Sequence, residues 1–162
     1  MDIRANVDER HEYRTTLRWT GAAAGPTRSY QSYSREYEFQ SPGRPAIRGS
    51  ADAHFRGDAS LYNPEDLLVV ALATCHLLSY LADCSRAGVQ VVSYADDAIG
   101  TMSVRDGKLR FTDVLLRPRV TVTPGTDLEK ARRLHETAHA SCYVANSVNF
   151  PVRHDVVVAV AT

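Results

Sequence analysis

The sequence has no excess charge of one sign: 19 Lys and Arg balance 19 Asp and Glu, for a formal net charge of zero. A nucleic-acid partner held by bulk electrostatics is therefore not expected, and net charge gives no protection against self-association. No uninterrupted apolar run reaches the ~20 residues of a membrane-spanning helix, so no membrane partner is expected. The opening stretch MDIRANVDERHEYR is charged throughout and lacks the apolar centre of a signal peptide. The chain therefore reads as cytoplasmic. Cysteine is scarce. Cys75, Cys84 and Cys142 are an odd and sparse set, not a disulfide framework, and in a reducing compartment a pair would be catalytic rather than structural. Internal repeats and low-complexity linkers are also missing. The 162 residues suit one domain, 1–162, whose first ten residues read as a flexible arm.

An apolar share of 44% is enough for a real core. HEYRTTLRW (11–19) alternates, with Tyr13, Thr15, Leu17 and Trp19 on one face, and predicts a half-buried strand. The aromatic-rich TRSYQSYSREYEFQ (27–40) predicts a second strand, and 46–55 a short third. NPEDLLVVALATCHLLSYL then opens a helix: Asn63 suits the N-cap, Pro64 the first helical position, Glu65 and Asp66 the first turn, and Gly88 the residue past its end. From Leu67 to Ala73 it is apolar on every side, which predicts a central helix. Residues 89–104 and 108–123 read as strands joined by the hairpin pair Asp106-Gly107, with Pro118 at an edge or a bulge. A second helix follows over 124–148, capped by Thr126 or Asp127, with Glu129 completing a box with Thr126. A last strand covers 151–162. The order predicts an α+β fold in which antiparallel sheet covers a buried helix.

Few residues here are equipped for chemistry. Cys75 lies where the first helix turns from Leu/Val/Ala to His76, Ser79, Tyr80 and Asp83. A helical cysteine is most often plain packing, and a thiol of pKa about 8.5 is only a few per cent thiolate at pH 7. To act as a nucleophile it needs a positive or hydrogen-bonding neighbour. Cys84 lies about 13 Å further along the same helix and cannot bridge to Cys75. Any disulfide involves Cys142, with Cys75 the better partner and Cys84 helix-end packing. Glu65 complements the helix dipole. About 15 Å of helix separates it from Cys75, so any help it gives that sulfur comes from a second subunit. His135, His139 and Cys142 share a helical face with a metal-ligand spacing, but the glutamate of a zinc-protease motif is missing and no metal is assigned. His76 reads as a polar contact or pocket wall rather than a general base.

NPEDLLVVALATC resembles the Asn-Pro-Glu-x-Leu-x(7)-Cys signature of the OsmC/Ohr family, the osmotically inducible and organic hydroperoxide resistance proteins. AHASCYVANSV is similar to that family's second cysteine segment, and the resemblance spans roughly residues 12–160. It implies an intertwined homodimer whose antiparallel sheets wrap two long central helices, with active sites between subunits. It implies a thiol-dependent peroxidase with Cys75 as the peroxidatic and Cys142 as the resolving cysteine. It also implies an arginine paired with Glu65 that holds the thiolate. Arg56, just before the Asn-Pro-Glu loop, fits that role, and Arg28 is the other candidate. Tyr143-Val144-Ala145 departs from the Pro-Tyr-Ser-like stretch that usually follows the family's second cysteine.

With these assignments, organic or fatty-acid-like hydroperoxides are the expected substrates, because Leu68, Leu72, Leu77, Leu78, Tyr80 and His76 would wall the sulfur. No bound cofactor is expected, only an external dithiol reductant such as a lipoyl group. The alternative from another class is a non-catalytic protein of the same fold that binds a small apolar ligand.

Overall fold

The computed structural model describes residues 10–162. The arm expected over 1–10 lies, up to residue 9, outside the described residues. The chain divides into two compact units, one ending at Pro64 and the other spanning Glu65–Thr162.

The first unit is a three-stranded antiparallel sheet in the order β1 (Thr16–Trp19), β2 (Tyr37–Gln40), β3 (Ile47–Gly49). β1 was expected to be half buried, but all four of its residues are exposed. The second strand is also shorter than its aromatic content predicted. Upstream of Tyr37 the chain is looped, and Arg35 donates to the Tyr33 carbonyl at 2.7 Å while its guanidinium lies 4.1 Å from the Tyr33 ring centre. The aromatics there serve a cation rather than a pleated surface.

The second unit opens with α1 (Pro64–Ala87), bounded as its capping residues predict. Gly88 takes φ +73 past the last turn, its N–H reaches the Ser85 carbonyl and the Val89 N–H reaches Cys84. This pair of bonds closes the helix through a residue that a side chain would strain. Contrary to the expectation from run length, α1 is long and apolar enough to cross a membrane by length and composition, with a mean hydropathy of 1.8 over an 18-residue window. The interior helix of a globular core has the same profile, and α1 packs one face into such a core.

The two long strands expected after α1 are each broken. β4 (Val91–Asp96) and β5 (Ile99–Arg105) separate at Asp97, and β6 (Lys108–Leu116) and β7 (Pro118–Val122) at Arg117. Asp106 and Gly107 both take positive φ in the hairpin turn between β5 and β6, as their sequence predicts. The break is pinned by Arg117, whose backbone N–H donates to Asp96 at 2.7 Å and whose side chain donates to the Asp97 carbonyl at 2.8 Å. Pro118 was expected at an edge or a bulge. It opens β7, the middle strand of its sheet, at the break, where a strand's first residue tolerates a missing N–H.

After α2 (Leu128–Ser141) the last segment also splits, into β8 (Val152–His154) and β9 (Val157–Val160). β8 pairs with β6 and β9 with β7, both parallel. β8 and β9 thus add a parallel edge to each of the antiparallel pairs that were expected. The chain returns to its sheets through a helix, and such a crossover brings a strand back in the same direction. Two mixed three-stranded sheets result, β4-β7-β9 and β5-β6-β8. α1 serves both. Leu72 packs with Val114, Leu116 and Val152, while Tyr80 and Cys84 pack with Val120, Val122, Ala131, Ala138 and Val158. Full burial of one such aliphatic side chain contributes roughly 1.5–3 kcal/mol.

α2 is shorter than expected because it stops before Cys142. Its cap is Asp127, which accepts the Lys130 N–H at 3.0 Å. The expected Thr126–Glu129 box does not form: Thr126 bonds Thr123 at 3.2 Å, and Glu129 pairs with Arg132.

Candidate active site

Both candidate cysteines belong to the second unit, and the fold joins them. Cys75 lies midway along α1 and is partly exposed; Cys142 is the C-cap of α2 and is buried. At Cys142 the backbone becomes extended, with φ −71 and ψ 107, so its side chain leaves the helical face. Asn146 then caps the helix end by donating to the Ala140 carbonyl at 3.0 Å. The Cys142 and Cys75 sulfurs lie 2.7 Å apart. Burial, and next its contact with Cys75, pushes the Cys142 pKa up. The Ala145 N–H, which donates to its sulfur at 3.4 Å, opposes that shift. Cys142 is therefore a protonated thiol at neutral pH.

His76, next to Cys75, is buried and bonded to His135 of α2, with His76 Nε2 and His135 Nδ1 3.0 Å apart. Because Cys142 turns to Cys75 and His135 to His76, the face that could have offered a metal site is dispersed. Among the described residues no group of three His, Cys, Asp or Glu is arranged to hold a metal ion.

Three side chains expected to wall a pocket are interior instead. Leu72, His76 and Tyr80 are 0–1% exposed, and the Tyr80 hydroxyl donates to the Ala131 carbonyl at 3.2 Å. They are spaced four apart, so they share the one face of α1 that the sheets cover. The open face carries Val70, Thr74, Leu78 and Leu81. On that side Val70, Ala73, Thr74 and Leu77 of α1, with Tyr94, Ala95 and Asp96 of β4, line a cavity of about 210 Å³. Leu77 lines this cavity, Leu68 packs against the core and Leu78 is exposed.

Glu65, in the first turn of α1, holds a buried Oε2 with no hydrogen-bond partner among the described residues. In the first unit, Arg56 closes a short 3-10 turn (Ala53–Phe55) with φ 66, a left-handed backbone unusual outside glycine, and its side chain is exposed. Arg28 is exposed as well. The His76–His135 pair was missed in the sequence. Its one signal is that His76 falls between Leu72 and Tyr80 on the helical period, which marks it as interior.

A family model for OsmC-like protein matches residues 57–157, more than half of the chain. The chain belongs to the OsmC-like family. An OsmC-like protein of unknown function from Vibrio cholerae O1 biovar eltor str. N16961 is 28% identical, with a TM-score of 0.85 over 91% of this chain and 100% of that one. An organic hydroperoxide resistance protein from Elizabethkingia anophelis shares the OsmC-like fold at 18% identity, with a TM-score of 0.67 over 95% and 99% of the two chains. The uncharacterized protein YmaD of Bacillus subtilis (strain 168) is 25% identical over 89 residues, 53% of this OsmC-like chain and 59% of YmaD. The chain thus spans less than two thirds of that relative's length.

Proposed function

We propose that this OsmC-like protein is a thiol-dependent peroxidase that reduces organic hydroperoxides to alcohols. The observation that carries the reading is the meeting of two sulfurs 67 residues apart in sequence at 2.7 Å, inside the van der Waals separation of two sulfur atoms. One is partly exposed for attack and the other is a buried, protonated thiol. The Cys75 thiolate attacks the terminal peroxide oxygen. The O–O bond breaks, the alkoxide leaves and takes up a proton to become the alcohol, and Cys75 is left as a sulfenic acid. The Cys142 sulfur then attacks Cys75, water leaves, and a disulfide of about 2.05 Å forms from a pair already close to that length. An external dithiol, such as a lipoyl group, reduces it by two exchanges and is itself oxidised to a disulfide.

The cation that activates Cys75 is Arg56, with Arg28 as the alternative, held by the Glu65 carboxylate. An oxygen of that carboxylate is buried without a partner among the described residues, and an uncompensated buried acceptor calls for a donor such as a guanidinium fork. The reading places that pairing in a homodimer. Its support is the open apolar face of α1, where Leu78 is 66% exposed. This apolar surface favours organic over hydrogen peroxide, and the need for a dithiol donor places the cycle in the cytoplasm. Substituting Cys75→Ser is expected to abolish turnover of tert-butyl or lipid hydroperoxide with a dithiol donor, and retained turnover ends the reading.

The 210 Å³ cavity between α1 and β4 favours a second reading, a non-catalytic protein that binds a small apolar ligand. Stoichiometric loss of free thiol on mixing with organic hydroperoxide separates the two: the binding protein keeps its thiols.

A further inference from the structure

Four histidines gather beside the cysteine pair. His76 of α1 bonds His135 of α2 at 3.0 Å, and their rings stack at 5.2 Å between centres. His154, the last residue of β8, stacks on His76 at 5.6 Å and on His135 at 6.3 Å, and His139 lies 5.6 Å from His154. Tyr80 covers the other face of His135 at 3.7 Å, and Tyr94 of β4 stands 6.5 Å away. Glu136 of α2 faces the cluster, and its carboxylate bonds His154 Nε2 at 3.1 Å. Burial first, and the neighbouring histidines next, holds His76 down at about 4 and His135 at about 3, so both rings are neutral at pH 7.

This arrangement is a poor way to gain stability. His76 Nδ1, His135 Nε2 and His139 Nδ1 are buried without partners among the described residues, and each orphaned nitrogen costs what an apolar ring would not. Its position gives it another use. His76 directly follows Cys75 on α1, and His135 lies seven residues, about two turns, before Cys142 on α2. The imidazole bond therefore ties together the same two helices whose sulfurs must meet, and it does so where α1 passes from one core cluster to the other.

We infer that the His76–His135 bond is a clamp that sets the separation of Cys75 and Cys142, making these histidines positioning residues for the disulfide. The clamp rests on the reading of Cys75 and Cys142 as a pair that closes. Reciprocity is built in: if the clamp favours the disulfide, the disulfide must favour the clamp by the same factor.

The test equilibrates the full-length protein with oxidised and reduced dithiothreitol at pH 7.5. Oxidised dithiothreitol takes two electrons and two protons from the thiols, its own S–S bond breaks, and the Cys75–Cys142 bond forms. His76→Phe, which keeps a ring but loses the hydrogen bond, is expected to lower this equilibrium constant about tenfold. His76→Gln, which can still donate to His135, is expected to restore it to within about threefold of wild type. Val158→Ala, in the core on β9 and no part of the imidazole bond, is expected to lower the melting temperature and leave the constant alone, because a folded protein's thiol equilibrium does not register general stability.

An unchanged constant in folded His76→Phe overturns the clamp and leaves the peroxidase reading intact; a wild type that forms no Cys75–Cys142 disulfide overturns both. If His76→Phe does not fold, wild-type ring ¹⁵N resonances decide. His76 and His135 signals that shift between the dithiol and disulfide states support the clamp, and signals that coincide overturn it.

Discussion

Every buried hydrophobic side chain among the described residues, from Leu72 to Val158, belongs to the second unit. The first unit buries Ser50 but leaves Leu17 70%, Tyr62 58% and Tyr30 55% exposed. The first unit has one three-stranded sheet and the second has two of the same size, so sheet size is not the difference. The second unit has α1 and α2 to cover its sheets, while β1 of the first unit shows all its residues to solvent. A small sheet without a covered apolar face gains little from burial and needs a partner to be stable. α1 repeats the contrast within one element. Its Leu72–His76–Tyr80–Cys84 face is interior, while Val70, Thr74, Leu78 and Leu81 are open although they are the more apolar set.

Stability measurements can sharpen that contrast. The largest effect is expected from Leu72→Ala, about 2–5 kcal/mol in urea unfolding, because it empties a filled core site. Leu17→Ala has nothing to lose if its face is truly open. In the proposed homodimer it instead costs over ~1 kcal/mol, and that cost varies with protein concentration. A shift within about 0.5 kcal/mol at all concentrations would show that no second copy covers the first unit.

In the second unit, acid should act on the buried histidine pair. His76 and His135 titrate at about 4 and about 3 when folded, against an ordinary 6.5. Below pH 6.5 the unfolded chain binds protons that the folded chain refuses. Stability from these groups is therefore complete above pH 6.5 and is lost as pH falls toward 4 and then 3. Urea midpoints at pH 7.5, 5.5 and 4.5 should fall in that order, and His76→Phe/His135→Phe should flatten the slope. A wild-type midpoint that holds steady to pH 4.5 contradicts the buried neutral pair.

The smallest effect is expected in the first unit's surface ion pair. Arg18 and Glu38 face each other across β1 and β2 at 3.2 Å, with the Arg18 side chain 74% exposed. Arg18→Ala should cost no more than ~1 kcal/mol, and less at high salt. A larger loss would mean that this sheet depends on charge more than its exposure implies.

Local chemistry was legible wherever its causes are local. Pro64 and Gly88 bound α1 because the first needs no N–H and the second tolerates a left-handed backbone. Asp106-Gly107 makes its turn for the same conformational reason. The α+β class and the approach of Cys75 to Cys142 were also readable, the latter through the family resemblance of two motifs. The strand breaks at Asp97, Arg117 and Asp155 were not. Strand-forming residues lie on both sides of each break, and the bonds that pin it, such as the Asp155 N–H on the Leu116 carbonyl, come from residues distant in sequence. Leu72, His76 and Tyr80 were misplaced as pocket walls because an all-apolar helix gives no sign of which face the sheets will take.

By itself, then, the order of amino acids determined the extents of α1, the tight hairpin and the two cysteine segments, since capping and turn conformations depend on a few adjacent residues. Only the tertiary structure decided which face of α1 is interior, that β8 and β9 return parallel, and that His76 meets His135. Those outcomes depend on groups far apart in sequence, such as Leu72 and Val152 or His76 and His135, which share an environment only once the chain has packed.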